Sequence, residues 1–447
     1  MDSHQDAMPA SADRSPAEQA LPARRPTHVR YWVLAWLCAA AVIAYVHRNV
    51  LSVMEDRVRY DLGLTRNDMG LVFSALFLGY ALFQIPSGWA GDRWGARRPL
   101  VLFAAAWSLA TAMLAMAGGY WTLLAVWCAC GIAQAGLFPC AARSITQWLP
   151  ATGRAFASGA LGGAMSVGAA ASAFLAGLLL EAGFDWRVVV TGFALVGWIW
   201  AWGFLRWYRE RPEMHPGVNQ AELALIGSGA LAISGVAGQS SPTPWGAILS
   251  TPALWFICGQ QFFRAAGYVF YVSWFPTYLK ETRGVSTGLS GALASLPLLA
   301  IVVGSPLAGA LSDWLLARTG SRRISRQWFA VASMLACAAL IVPANWIADP
   351  LAAVLLITAG SFCAAFGGPV AYTVTMDLGG RHVATVFGMM NMSGNFGAAV
   401  FPFVAARLST ATGNWDAVLL VFAGVYVLAA CCWILVNPDS KIRLAAA

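Results

Sequence analysis

Two arginines interrupt long apolar runs: Arg48 within residues 30–51 and Arg264 within residues 252–278. A charge at the centre of a bilayer costs roughly 2.5–3.5 kcal/mol on insertion scales, so arginines held there usually face a cavity and act in it. The planar guanidinium fork suits a carboxylate or a sulfonate, which it meets with two parallel hydrogen bonds. The chemistry expected is therefore anion binding. Each arginine also has a plainer reading. Arg48 lies near one end of its run, where a long side chain can snorkel to the headgroups, and Arg264 could simply bond a neighbouring helix.

Polar residues at helical spacing extend the candidate site. Arg264, Tyr268, Tyr271 and Phe275 fall at i, i+4, i+7 and i+11 and share one helix face. Tyr80 and Gln84, and likewise Asn391 and Asn395, are i, i+4 pairs. Each pair could bond substrate hydroxyls or serve as packing glue between helices. If both arginines face one cavity, the substrate carries two anionic groups. His47 is the one side chain inside an apolar run whose ordinary pKa, about 6.5, lies in the physiological range. It is the candidate proton carrier, because none of the 20 acidic residues falls mid-run. Asp92, Asp313 and Asp377 stand at the ends of runs.

The elements that must hold these residues follow from composition. The 447 residues include only 28 Lys+Arg and 20 Asp+Glu, so 11% are charged and 59% are hydrophobic. An ordinary globular protein is about 25% charged, and a disordered one is far less apolar. Twelve apolar stretches recur, near 30–51, 70–90, 99–118, 120–142, 156–180, 187–207, 252–278, 289–312, 327–346, 351–376, 383–407 and 415–436. About 20 apolar residues cross a bilayer as a helix, and a chain in lipid must satisfy its own backbone hydrogen bonds. The fold class expected is all-α, a polytopic membrane protein of twelve transmembrane helices.

The net charge of +8 does not mark a nucleic-acid binder, because the cations are segregated. With the N-terminus placed inside, cytoplasmic segments hold 19 Lys+Arg and outer loops hold seven. That is the positive-inside bias, and it sets both termini in the cytoplasm. The expected organisation is a tail over 1–29, a six-helix bundle over 30–207, a central loop over 208–251, a second bundle over 252–437 and a tail over 438–447. The tail has no apolar core of a cleaved signal peptide. All nine cysteines sit in apolar runs and read as small apolar filler. No metal cluster, nucleotide loop or paired carboxylates are present, so neither an enzyme, a metal nor a cofactor is expected. A monomer in the bacterial cytoplasmic membrane is the expectation.

The two bundles repeat one element. Gly88-Trp-Ala-Gly-Asp92 is followed by Arg93, Gly95, Arg97 and Arg98. Gly309-Ala-Leu-Ser-Asp313 is followed by Arg318, Gly320, Arg322 and Arg323. Parallel six-helix repeats are a transporter architecture with the substrate site between them, near the midplane. On this element the chain resembles the major facilitator superfamily. It is further similar to the anion:cation symporter family, which includes sugar-acid and organic-acid permeases. The matching stretches are His47 to Ser52, Gly79-Tyr80 to Gly88, Gly131 to Pro139, His215 to Glu222, Trp274 to Leu279, and Met376 to Asn395.

The resemblance implies roles. Arg48 matches the arginine that binds the substrate carboxylate, and Tyr80 and Asn395 match substrate-side positions. Gly88, Asp92, Arg93, Gly95, Arg97 and Arg98, with Asp313 in the second half, match a cytoplasmic latch that closes when the cavity faces outward. The departures concern coupling. Many members carry acids where His47 and Gln134 stand here, and an arginine where Trp127 stands. The function expected is import of a small organic anion by alternating access, with protons coupled through His47. Alternatives are an uncoupled or exchanging carrier of such anions, an efflux permease, or a transporter-like sensor. Helix 5 lacks the Gly-Pro-rich element of superfamily drug antiporters, which weighs against efflux.

Overall fold

The computed structural model describes residues 25–230, 243–285 and 287–442. Residues 1–24 and 443–447 of the two expected tails and residues 231–242 of the expected central loop lie outside the described residues. Twelve long helical rods run in alternating directions. The first six are α1 (Val29–Val53), α2 (Arg66–Trp94), α3 (Arg97–Leu114), α4 (Tyr120–Gln134, resuming as Leu137–Trp148), α5 (Arg154–Glu181) and α6 (Trp186–Trp207). The second six are α7 (Pro252–Ser273, resuming as Phe275–Arg283), α8 (Thr287–Thr319), α9 (Phe329–Ala344, entered through a π-helical turn at Arg323–Trp328), α10 (Pro350–Ala365, resuming as Gly367–Gly379), α11 (Val383–Thr412) and α12 (Asp416–Leu435). Several outrun the apolar stretches read from the sequence, because polar turns carry the helix on past the lipid. At the start of α2 one such turn is closed by a capping box: Thr65 Oγ1 accepts the Asp68 N–H and Asp68 accepts the Thr65 N–H.

Nine of the spans in the described residues pass a strict test of length and apolarity. One of these, Pro350–Ser409, holds both α10 and most of α11. Two rods fall short for visible reasons: α3 opens on Arg97 and Arg98, and α7 carries Gln260, Gln261 and Arg264. The outward surface is apolar. Leu102, Phe174, Ile199 and Val303 are each more than 60% exposed, which suits lipid and would not suit water.

The repeat is visible in the packing. In the first half α1 lies on α5, α2 on α4 and α3 on α6. In the second, α7 lies on α11, α8 on α10 and α9 on α12. The halves meet along α2 with α11 and α5 with α8. The breaks repeat too. α4 breaks after Gln134 and α10 after Ala365, near mid-rod in both. Of the expected central loop, Gln220–Ala230 is helical and docks under the first half. Glu222, fully buried, accepts the Arg30 N–H at 3.1 Å and pairs with the Arg30 guanidinium at 3.1 Å. It thereby caps α1. His215 packs edge-on against Trp148 and Trp207.

Candidate functional site

Arg48 does not snorkel outward. Its guanidinium lies over the Tyr80 ring at 4.2 Å and over the Tyr45 ring at 4.7 Å. Its Nε donates to Gln134 Oε1 at 2.9 Å, and Nη1 reaches the Tyr45 hydroxyl at 3.4 Å. Tyr45 and Tyr80 supply the faces of cation–π contacts, which orient the charge without neutralising it. Gln134, fully buried, is itself fixed by donating to the Ala44 carbonyl at 3.1 Å. The position read as a neutralised coupling acid is thus the partner that aims Arg48.

Tyr80 reaches the other half. Its hydroxyl accepts from Asn391 Nδ2 in α11 at 3.2 Å. Tyr372 in α10 lies within electrostatic reach of both Tyr80 and Arg264, and Tyr45 within reach of Tyr268 and Tyr372. Arg264 donates from Nε and Nη2 to Gln261 Oε1 at 3.2 and 3.1 Å. It lies flat on α10 where Gly367 and Gly368 leave room: a Cβ at Gly368 would stand 3.5 Å from Nη1. Among the described residues neither Arg48 nor Arg264 has a carboxylate partner, and both are half-buried. Tyr268 is 43% exposed beside them.

Other expectations fare differently. The helix face read from Arg264 to Phe275 ends early. Tyr268 lies near the arginine, but Tyr271 and Phe275 are buried against Phe270 and Phe422, and α7 breaks at Trp274 between them. Spacing does not encode which neighbour covers each turn. Asn391 and Asn395 part company: Asn395 Nδ2 bonds back to the Asn391 carbonyl at 2.8 Å. Gln84 is fully buried, and neither amide atom has a partner among the described residues. Such a group costs free energy unless water or ligand meets it.

His47 does not share the space beside Arg48. Consecutive helical residues point about 100° apart, and His47 turns into the first bundle. Its Nε2 donates to the Phe193 carbonyl at 2.8 Å and Nδ1 lies 3.3 Å from the Thr111 hydroxyl. Trp127 is 1% exposed and fills the apolar core of that bundle.

The residues expected to form a latch lie on the face that carries the chain termini, with different partners from those expected. Asp92 accepts the N–H groups of Ala384 and Thr385, at 3.0 and 2.7 Å, in the first turn of α11. Its arginine is Arg143 at 3.3 Å, not Arg93, Arg97 or Arg98. Arg93 and Arg98 are exposed. The N–H groups of Ala96 and Arg97 bond Glu210, whose carboxylate fills the space beside Gly95. Asp313 accepts the Phe156 N–H in the first turn of α5 at 2.9 Å and pairs with Arg326 at 2.6 Å. A carboxylate on a helix N-terminus meets free N–H groups and the positive end of the dipole. Both glycines press on the same turns. A Cβ at Gly88 would lie 2.2 Å from the Ala384 carbonyl oxygen, and one at Gly309 2.2 Å from that of Ala155. Sequence reasoning did not single out Arg154, whose pair with Asp377 at 2.7 Å also ties the halves. Its signal was an arginine at the start of α5 facing an acid that ends α10.

Comparisons with known proteins bear on the family and the fold. The Major Facilitator Superfamily model matches residues 37–321 and 315–446. A probable sulfoacetate transporter of Cupriavidus necator is 30% identical over 92% of this chain and 94% of its own. A probable galactarate/D-glucarate transporter of Bacillus subtilis is 31% identical over 95% of each. The D-galactonate transporter of Escherichia coli is 30% identical over 95% of this chain and 99% of its own. Among solved structures, the E. coli fucose:proton symporter matches with TM-score 0.66 at 14% identity over 92% of this chain and all of its own. The proton:xylose symporter XylE matches with TM-score 0.68 at 14% identity over 91% of this chain and 96% of its own. The family and the relatives are transporters, not enzymes. The chain is an integral membrane transporter and belongs to the Major Facilitator Superfamily.

Proposed function

We propose that this protein imports a small organic anion, a sugar acid, another carboxylate or a sulfonate, across the cytoplasmic membrane, with both termini in the cytoplasm. The observation that carries the reading is Arg48: a guanidinium over two tyrosine rings, aimed by a glutamine and paired with no carboxylate among the described residues. A cation kept from neutralisation inside a bilayer protein is a binding group for an anion that arrives. Relatives that carry sulfoacetate, galactarate or D-glucarate, and D-galactonate support the substrate class. Tyr80, Gln84, Tyr268 and Asn391 bond the body of the substrate. The Asp92 and Asp313 caps, with Gly88 and Gly309, hold the cytoplasmic side shut while the site faces outward. Alternating access rocks one bundle against the other.

Exchange is the coupling the site favours over symport through His47. His47 is fully buried and turned to α3 and α6, away from Arg48. An anion entering against an inside-negative potential pays about 2.3 kcal/mol per charge per 100 mV, and swapping it for an internal anion of equal charge removes that cost. The test is uptake into proteoliposomes. Wild type takes up a labelled organic acid faster when the lumen holds unlabelled acid, and Arg48→Gln abolishes uptake. Uptake by Arg48→Gln at the wild-type rate would sink the proposal.

A further inference from the structure

We infer that the substrate carries two acidic groups, one taken by Arg48 and the other by Arg264. The inference rests on the organic-anion reading above and deepens it. The two arginines stand in repeat-equivalent helices, α1 and α7, one in each half. They approach across the interface: Arg48 lies over the Tyr80 ring, whose hydroxyl accepts from Asn391 of the second half at 3.2 Å, and Arg264 lies against Gly367 and Gly368 of α10, the helix that carries Tyr372. Each arginine is handled alike. One glutamine oxygen, from Gln134 or from Gln261, takes the Nε–H and fixes the fork. Amide oxygens and tyrosine rings orient a cation, but they bring no negative charge.

The two arginines therefore bring two positive charges to the site. Removing one partner of a buried charge pair is costly because it strands the other charge, and among the described residues neither cation has a carboxylate partner. A monoanion neutralises one and leaves the second unpaired. An anion with an acid at each end neutralises both and draws one contact from each half. Arg48 and Arg264 keep donors for it. A guanidinium has five N–H donors, and the bonds to Gln134, Tyr45 and Tyr80 at Arg48 and to Gln261 and Tyr372 at Arg264 leave others for it.

The test is calorimetric binding to the full-length protein in nanodiscs at pH 7.5, with probes matched in length: propionate against succinate, and ethanesulfonate against 1,2-ethanedisulfonate. Charge-assisted bonds at a second arginine predict that each dianion binds at least about tenfold more tightly than its partner. Arg264→Gln should bring dianion affinity down to the monoanion level, a loss of at least about tenfold. Monoanions binding wild type as tightly as dianions would overturn this inference alone. So would Arg264→Gln weakening both classes equally. Binding of neither class would overturn the organic-anion reading with it. The wild-type comparison decides even if the variant does not fold.

Discussion

Gln134 accepts the Nε–H of Arg48 at 2.9 Å while donating its own N–H to the Ala44 carbonyl at 3.1 Å. A neutral amide thus sits where a carboxylate would pair with the arginine and cancel it.

Gln134→Glu should convert that contact into an ion pair. Arg48 then has an internal counter-charge, and a substrate anion must displace it. The KM for organic-acid uptake should rise at least about tenfold, with thermal stability lowered by about 1–3 kcal/mol because a carboxylate cannot donate to the Ala44 carbonyl. An unchanged KM would mean that Arg48 does not meet the substrate.

Asp92→Asn and Asp313→Asn should each loosen a cap on a helix of the opposite half, because a neutral amide forfeits its interaction with the N-terminal dipole. Spin labels on the terminal-face ends of α2 and α11 should report a longer-distance population in Asp92→Asn, and labels on α8 and α5 in Asp313→Asn. Ligand affinity should stay within about threefold while the uptake rate falls. Distances identical to wild type in both variants would remove the latch role.

How much of this was legible in the sequence varies with distance along the chain. Arg48, Arg264 and the repeated Gly-x3-Asp element stand out because a charge in an apolar run and a motif recurring at a half-chain offset are local signals. Partners are not local. Asp92 takes Arg143 and the start of α11 instead of the adjacent arginines, because Arg93 turns outward from the last turn of α2 and Arg97 and Arg98 open α3 beyond it. His47 and Arg48 are neighbours in sequence and face different surroundings, a consequence of the helical turn between them. Tyr271 shares a helix face with Arg264, yet α12 covers it.

His47→Gln tests the alternative coupling. Uptake under an imposed pH gradient should match that without one, in wild type and variant alike. The substitution should lower stability by about 1–3 kcal/mol, read by thermal unfolding, because two buried hydrogen-bond positions are refilled imperfectly. A gradient response present in wild type and lost in His47→Gln would restore proton symport.

Glu222→Ala should strand Arg30, which is 7% exposed, and uncap α1. The expected loss is about 3–5 kcal/mol of stability, measured as a lower midpoint in thermal unfolding. Replacing Arg30 and Glu222 together by Met and Leu should recover part of it. A Glu222→Ala midpoint equal to wild type would show that the loop helix does not anchor α1.

The two carboxylate caps have a consequence for ancestry. Asp92 of the first half caps α11 of the second, and Asp313 of the second caps α5 of the first. Each half gives one cap and receives the same one, so the contact is self-complementary about a two-fold axis. A single six-helix unit bearing one Gly-x3-Asp element could have sealed itself against an identical copy as a homodimer before any linker joined them. Duplication and fusion would then have preserved a finished interface.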